Sequence, residues 1–475
     1  MRIADLPRPR ALPVVGHLLQ MRRQAAHLAV EAWSREVGPL FRVSLGGRPF
    51  VGVADPDLIR QVLNQRPDTF RRSSNFDIVF GDLDVESVFA AEGSQWRRLR
   101  RLWLRALNSH QIAGFAQGVG DITERLRARW QAAANRDEAV DIQGDLTRYT
   151  VDVTTLMTFG FDGNTLQQRG AVIQDDMHHV FPMISRRLTA PFPYWHYIRL
   201  PRDRQLDRAM VTVTRFVDAR IAEARERIDA HPELQDKPSN LLEAFLVARD
   251  EDGSLLSDAE IRGNTLTALL AGEDTTANTL AWSLHLLSHN PAAQERLQAE
   301  ADAVVGRARC ARSMAQLATL PWCDAVMAES LRLKPVAPMF FKTALKDTRI
   351  GDLDIPRGTH LILDMRHGAD QDARYDQPAQ FDPARWLADD APRFEAASPM
   401  PFGAGPRICP GRNLAQLEVR SVLSMIGRSF ELHTVAPEDS VTERFGFTMA
   451  PAGLRLKLTA RAQAGYSTRA IGADS

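Results

Sequence analysis

Cysteine is scarce in this 475-residue chain, which holds only Cys310, Cys323 and Cys409. Three scattered cysteines exclude a disulfide framework and a four-cysteine zinc site, and no Cys-x-x-Cys pair occurs. An excess of one charge is missing too. With 59 basic and 59 acidic residues the net charge is zero, which removes any global electrostatic case for nucleic acid or an acidic membrane. The opening MRIADLPRPRALPVVGHLLQM has no apolar run long enough for a signal peptide or a transmembrane helix. Pro7, Pro9 and Pro13 instead make residues 1–20 a stiff, proline-rich lead-in. No repeat, low-complexity tract or flexible linker follows, and 44% hydrophobic residues suffice for a large core. These absences lead to a cytoplasmic protein with no nucleic-acid partner and no membrane anchor. A single domain over 1–475 is expected, with a loose tail at 461–475.

What is present is mostly helical pattern with a small β-rich part. In LFRVSLGGRPFVGVADPDLIRQVL two alternating stretches flank Gly46-Gly47, a hairpin signal, and Asp55 then offers a helix N-cap before Pro56. A second strand region is expected over 340–363 and helices over 94–330, with breaks at 190–201 and 229–240. The longest helix begins after Ser257, which forms a capping-box pattern with Glu260, and Pro291 marks a stop. Roughly 30 residues at 1.5 Å each make it about 45 Å long. Its middle is odd: Ala271, Gly272, Glu273, Asp274, Thr275 and Thr276 put a helix-weakening glycine and four polar residues inside an apolar run.

The stretch PFGAGPRICPGRNLAQLE (401–418) sets Cys409 between a glycine loop and a helical pattern. Gly403 and Gly405 allow tight turns, and Phe402 is an apolar anchor. A thiol at a helix N-terminus meets exposed amides and the positive end of the dipole, both of which favour thiolate. From the residues alone Cys409 is a nucleophile, a redox thiol, a metal ligand or a small buried filler. Packing alone leaves the glycines and Arg407 without a role.

FGAGPRICPG resembles the haem-binding loop of the cytochrome P450 family, with Phe402, Gly403, Gly405, Arg407, Cys409 and Gly411 at the family's positions. Three further stretches resemble family motifs in the same order: WRRLR from Trp96, AGEDTT from Ala271 and ESLRLKP from Glu329. Together they span 96–415. The resemblance implies a mainly α fold with a small β-rich region. Heme b (iron protoporphyrin IX) would lie between the long central helix and the helix after the cysteine loop. Cys409 would be the axial thiolate and metal ligand, and Phe402, Gly411, Ala415 and Ala271 would adjoin the haem. Trp96, Arg100 and Arg407 would meet its propionates. Lys342 stands where the family often places an arginine, and it offers a point charge without a bidentate fork. Arg97, Arg98, Arg101 and Arg105 would form a basic surface attracting an acidic electron donor.

By the same resemblance Asp274 and Thr275 are catalytic, with Thr275 as the hydroxyl facing dioxygen and Asp274 as the acid passing protons toward it. Thr275 can also bond back to the carbonyl of Ala271, four residues earlier, and Ala271 and Gly272 are small enough to admit a flat cofactor. Glu329 and Arg332, three apart on one helix face, would join Arg385 of FDPARW in a structural network behind the haem. Ala384 and Trp386 depart there from the family's usual Glu and Phe. Family position makes Ile78, Val79, Phe80, Val88, Phe89, Ala268, Val336, Ala337, Met339, Phe447 and Met449 the expected substrate-pocket lining, with Ile78 to Phe89 on a loop over the haem. That mainly apolar set implies a small to medium hydrophobic substrate.

The activity implied is a monooxygenase that uses O2 to hydroxylate or epoxidise that substrate. No flavin or iron–sulfur reductase stretch is present, so a separate ferredoxin or flavodoxin-type donor with its NAD(P)H reductase is expected. The alternatives are a thiolate-haem peroxygenase or isomerase, against which the Asp274–Thr275 pair argues, and a non-catalytic haem sensor or carrier.

Overall fold

The computed structural model describes residues 1–13, 15–21, 24–168, 172–190, 192–306, 308–366, 375–388, 400–435, 437 and 440–461. The expected tail beyond Arg461 lies outside them. Strands Leu40–Leu45 and Arg48–Val53 form the foreseen hairpin, closed at Leu45 opposite Arg48. Gly46 and Gly47 turn at φ +58° and +82°, the left-handed pair that a two-residue turn of this hand needs. Asp55 caps the next helix, Pro56–Asn64, its carboxylate accepting the Asp57 and Leu58 amides at 2.9 Å each.

The second strand region joins the same sheet. Arg48–Val53 pairs in parallel with His360–Asp364, which pairs antiparallel with Met339–Ala344, and the short strand Phe70–Arg72 completes the far edge. Segments about 310 residues apart, such as Phe50 and His360, thus build one five-stranded sheet.

The central helix runs Asp258–Ser288, 31 residues. Ser257 accepts the Glu260 amide at 3.2 Å, and the Glu260 carboxylate accepts the Ser257 amide at 2.9 Å, completing the capping box. Pro291 opens the following helix, Pro291–Val305. The two halves of the central helix serve different cores. Ile261, Leu266, Ala268 and Leu269 pack with helices Gly93–Ala106, Pro201–Ala230 and Leu241–Val247. Ala277, Leu280, Leu284 and Leu287 pack with Ser109–Asn135, Ile142–Phe159, Pro321–Leu333 and Arg412–Ser429. Each fully buried leucine contributes about 1.5–3 kcal/mol. The odd stretch 271–276 belongs to neither core and lies between them along the helix. Among the described residues no helix is long and apolar enough to cross a membrane.

Candidate active site

Between the cores lies a cavity of about 440 Å³. Ala271 and Thr275 of the central helix face it from one side, and the loop of Phe402, Arg407 and Cys409 with the start of helix Arg412–Ser429 faces it from another. Trp96, Arg100, Lys342, Gly411 and Ala415 line it as well.

Several features hold the cysteine loop in place. Gly405 has φ +68°, and a Cβ there would stand 2.7 Å from the Asn64 Cα, so the loop presses backbone to backbone on the end of helix Pro56–Asn64. The Cys409 amide donates to the Phe402 carbonyl at 2.9 Å. Cys409 is exposed to the cavity; the protein packed around its thiol raises its pKa, against the pull of the Gly411 amide and the Arg100 and Arg412 charges. Cys310 and Cys323 are buried, and neither lines the cavity. His285 on the central helix and His289, its C-cap residue, pack ring against ring at 4.7 Å, and burial drops His285 to about 4. Among the described residues no three His, Cys, Asp or Glu side chains group as a metal site.

The most telling electrostatics lie on one side of the cavity, where Arg66, Arg72, Arg100, Arg407 and Lys342 converge. Glu92 is the carboxylate among them, 2.5 Å from Arg407, 3.6 Å from Arg66 and 3.9 Å from Arg72. Arg72 and Lys342 stand directly opposite each other on paired strands, a like-charge pairing that destabilises a sheet unless something negative answers it. Burial, Arg66 and Arg72 hold Lys342 well below its ordinary pKa, and burial drops Arg407 to about 9 against the pull of Glu92. Among the described residues, six guanidinium nitrogens of these four arginines are buried without a hydrogen-bond partner: Arg66 Nε and Nη2, Arg72 Nη1, Arg100 Nε, Arg407 Nε and Nη1. Such donors are costly when left unmet, and two carboxylates of a planar cofactor would meet them. Arg407 also lies over the Trp96 ring at 4.4 Å, donates to the Ala91 carbonyl at 2.7 Å, and is joined by Arg100, which donates to the Ile408 carbonyl at 2.7 Å. The residues present fit haem.

Behind this wall Glu329 is fully buried and accepts from Arg332 at 2.8 Å twice, from Arg385 at 3.0 Å and from the Trp386 indole at 2.9 Å. Burial pushes its carboxyl up, and Arg332 more than reverses that, so it stays below its ordinary pKa. Trp386, the departure from the family's usual residue, thus becomes a donor to the network.

On the distal side Thr275 donates to the Ala271 carbonyl at 2.7 Å, as its spacing predicts. Asp274 does not line the cavity; one residue earlier on the helix, it turns toward Arg444. Burial lifts it to about 6, and burial with the Asp274 charge lifts Glu273 to about 8. Gly272 lines the cavity and is small for a further reason: a Cβ there would sit 2.7 Å from Thr154 Oγ1, so it lets helix Ile142–Phe159 pack closely.

Of the expected substrate-facing residues, Val88, Phe89, Ala268, Val336, Ala337, Met339 and Phe447 line the cavity. Ile78, Val79, Phe80 and Met449 do not. The first three lie on a helix, Ser74–Asp82, where a loop was expected; Val79 and Phe80 turn into the core, and Phe76, four residues before Phe80 and stacked on it at 5.7 Å, reaches the cavity instead. Met449 is buried in strand Met449–Ala452, its carbonyl accepting from Trp282 at 3.1 Å. The basic residues of helix Gly93–Ala106 have partners within the chain. Arg97 pairs with Asp68, Arg98 with Glu260 and Asp250, and Arg101 with Asp250 and Glu251, while Arg105 donates to the Arg249 carbonyl. Arg97, Arg98 and Arg101 are thus ion-paired within the chain, whereas Arg105 meets no carboxylate among the described residues. Sequence reasoning missed Arg66, Arg72 and Glu92, whose only signal was basic residues beside a strand, and Glu418, a buried cavity-lining acid that burial holds well above its ordinary pKa.

A family model described as Cytochrome P450 matches residues 6–458. The cyclooctat-9-en-7-ol 5-monooxygenase of Streptomyces melanosporofaciens is 29% identical over 432 residues, covering 90% of this chain and 89% of that protein. The mitochondrial 25-hydroxyvitamin D-1 alpha hydroxylase of Mus musculus is 30% identical over 453 residues, covering 90% and 87%. The crystal structure of the cytochrome P450DA heme domain superposes with a TM-score of 0.85 at 24% identity, covering 96% of this chain and 98% of that one, a likeness of fold. The chain belongs to the cytochrome P450 family and is a monooxygenase of that type.

Proposed function

We propose that this single-domain enzyme holds heme b through Cys409, with Arg66, Arg72, Arg100, Arg407 and Lys342 taking its two propionates. It hydroxylates or epoxidises a small to medium hydrophobic organic molecule. The observation that carries this reading is the set of buried, unmet guanidinium nitrogens beside a cavity that Cys409 opens onto. Bound through a thiolate, haem supplies an iron centre at which electron density from sulfur favours O–O cleavage.

The chain's own residues do the rest. Ala271 keeps the distal helix face low. The Thr275 hydroxyl spends its proton on the Ala271 carbonyl at 2.7 Å and so offers lone pairs to the cavity. Asp274, lifted to about 6, can both carry and release a proton near neutral pH, which suits a relay group one residue from that hydroxyl. The apolar walls at Val88, Phe89, Ala268, Val336 and Phe447 exclude water and favour a hydrophobic substrate. Electrons are assigned to a separate ferredoxin or flavodoxin-type donor with its NAD(P)H reductase, in the cytoplasm. With Arg97, Arg98 and Arg101 already ion-paired, less of the charge of helix Gly93–Ala106 is free to attract that donor.

The test is the absorption spectrum of the reduced, carbon monoxide-bound protein. A strongly red-shifted Soret band is expected, and an ordinary histidine-type band overturns the Cys409 assignment. Product formation with a surrogate donor and NADPH separates a monooxygenase from a haem carrier.

A further inference from the structure

The hairpin of strands Thr442–Phe445 and Met449–Ala452 forms a two-stranded sheet of its own, and its tip enters the cavity that Cys409 opens onto. Phe445, Gly446, Phe447 and Thr448 all line that cavity. The Phe447 ring stands 6.0 Å from Phe89 and 5.3 Å from Phe181, so three distant stretches of chain meet there as one aromatic wall. A two-stranded hairpin is marginal alone, so the position of the tip is set by what grips its base.

Glu443 is the centre of that grip. Its carboxylate is largely buried, with Oε1 accepting from Lys334 Nζ at 2.6 Å and from Arg366 Nη1 at 2.7 Å, and Oε2 lying 2.9 Å from His27 Nε2. The three partners come from separate places: His27 from helix Ala26–Val37, Lys334 from the C-cap of helix Pro321–Leu333, and Arg366 from just beyond strand His360–Asp364. Glu31, one turn after His27, takes the other two nitrogens of the Arg366 fork at 2.8 Å each, and the Arg366 amide donates to Asp364 at 3.2 Å. Burial pushes the Glu443 carboxyl up, and hydrogen bonds from His27 and Arg366 with the Arg366 and Lys334 charges more than reverse that, so it stays below its ordinary pKa. None of these charged groups lines the cavity, so they act on it only through what they hold.

Strand alternation carries the grip to the tip. Glu443 and Phe445 are two apart and share a face, and the His27 ring lies 5.4 Å from the Phe445 ring. Phe445 pairs with Met449, which leaves Phe447 inside the turn between them. The Phe445 amide donates to the Gln24 carbonyl and the Met449 amide to the Val336 carbonyl, both at 2.9 Å, so both strands are tied where the turn begins and ends.

We propose that Glu443 is a positioning residue for substrate selectivity: by gathering His27, Lys334 and Arg366 it aims the hairpin so that Phe447 stands against Phe89 and Phe181 as the wall that sets how an apolar group fits the cavity. This rests on the haem-thiolate monooxygenase reading and adds to it a selectivity residue that never touches the substrate. A carboxylate that engages cations from three elements fixes a direction in space, which the hairpin's own strand pairing does not.

The test is optical titration of the holoenzyme with imidazole and with two larger aryl imidazoles, 4-phenylimidazole and clotrimazole. Imidazole is too small to need the wall, so the ratio of aryl-imidazole to imidazole affinity reads it. Phe447→Ala lowers that ratio, and Glu443→Gln lowers it about fivefold with imidazole affinity unchanged. In the Phe447→Ala background Glu443→Gln changes the ratio by less than about twofold, because one residue acts through the other; a role in stability alone leaves the two effects multiplying. Lys334→Gln removes one donor from Glu443 at a partly exposed position, and it gives a smaller fall of the same kind if Glu443→Gln does not fold. The proposal is overturned if neither Glu443→Gln nor Lys334→Gln lowers the ratio, if Phe447→Ala leaves it unchanged, or if the fall is equal with and without Phe447. The reduced carbon monoxide spectrum of the same samples reads the haem-thiolate assignment separately. A red-shifted band with an unmoved ratio sinks the positioning role alone, whereas its absence in the wild type sinks the underlying reading.

Discussion

Lys342→Met separates a cofactor-binding charge from a structural one, because its effect should change sign with the cofactor. Lys342 Nζ is buried, donates only to the Phe341 carbonyl at 3.3 Å, sits over the Phe340 ring at 4.6 Å and faces Arg72 across the sheet. In the haem-free chain the negative group that bears on this charge among the described residues is Glu92, which Arg407 already engages. Replacing such an ion by an apolar side chain of similar volume is neutral or stabilising by about 1–4 kcal/mol, and we expect about 1–2. With haem bound the same change removes a charge-assisted contact of about 1.5–3 kcal/mol, so haem release should quicken about tenfold or more. The assay is urea unfolding of the haem-free protein beside haem transfer to excess apomyoglobin. The pH dependence adds a check. The folded lysine's pKa is depressed, so below its ordinary value of about 10.4 the unfolded chain holds a proton that the folded chain gives up. Stability of the wild-type haem-free protein therefore rises with pH in that window, and Lys342→Met loses this contribution. If the substitution destabilises both forms equally, or leaves haem release untouched, the propionate assignment is wrong.

Three further substitutions test other parts of the site. Glu329→Ala leaves Arg332 fully buried and strips Arg385 and Trp386 of their acceptor; a loss of about 3–5 kcal/mol in chemical unfolding is expected, with red-shifted haem protein recovered poorly. Gly405→Ala forces a side chain into left-handed φ and against the Asn64 backbone, so unfolding midpoint and haem content should both fall, by at least about 1 kcal/mol in stability. Asp274→Asn removes a carboxyl poised at about 6; product formed per NAD(P)H consumed should drop about tenfold or more, and the wild-type decline in that ratio as pH rises through 6 should vanish, while substrate affinity stays the same.

Local sequence determined the local elements: the Gly46-Gly47 hairpin, the Asp55 and Ser257 caps, and the Thr275 bond to Ala271 all follow from interactions within a few residues. The cysteine loop was equally legible, because its glycines, arginine and thiol stand at fixed short spacings. The same holds for Glu329 and Arg332, neighbours on one helix turn. What could not be read was anything set by how distant segments pack. Ile78, Val79 and Phe80 were assigned to the cavity by position along the chain, yet the rotation of helix Ser74–Asp82 buries two of them and brings Phe76 forward. A row of arginines looks basic in sequence, but Asp68, Asp250 and Glu260 arrive from elsewhere to neutralise it. Conversely, Arg72 and Lys342 lie 270 positions apart and become opposed only through strand register. Side-chain chemistry is local and survives in the sequence; charge balance and cavity walls are sums over neighbours, and only the tertiary structure chooses the neighbours.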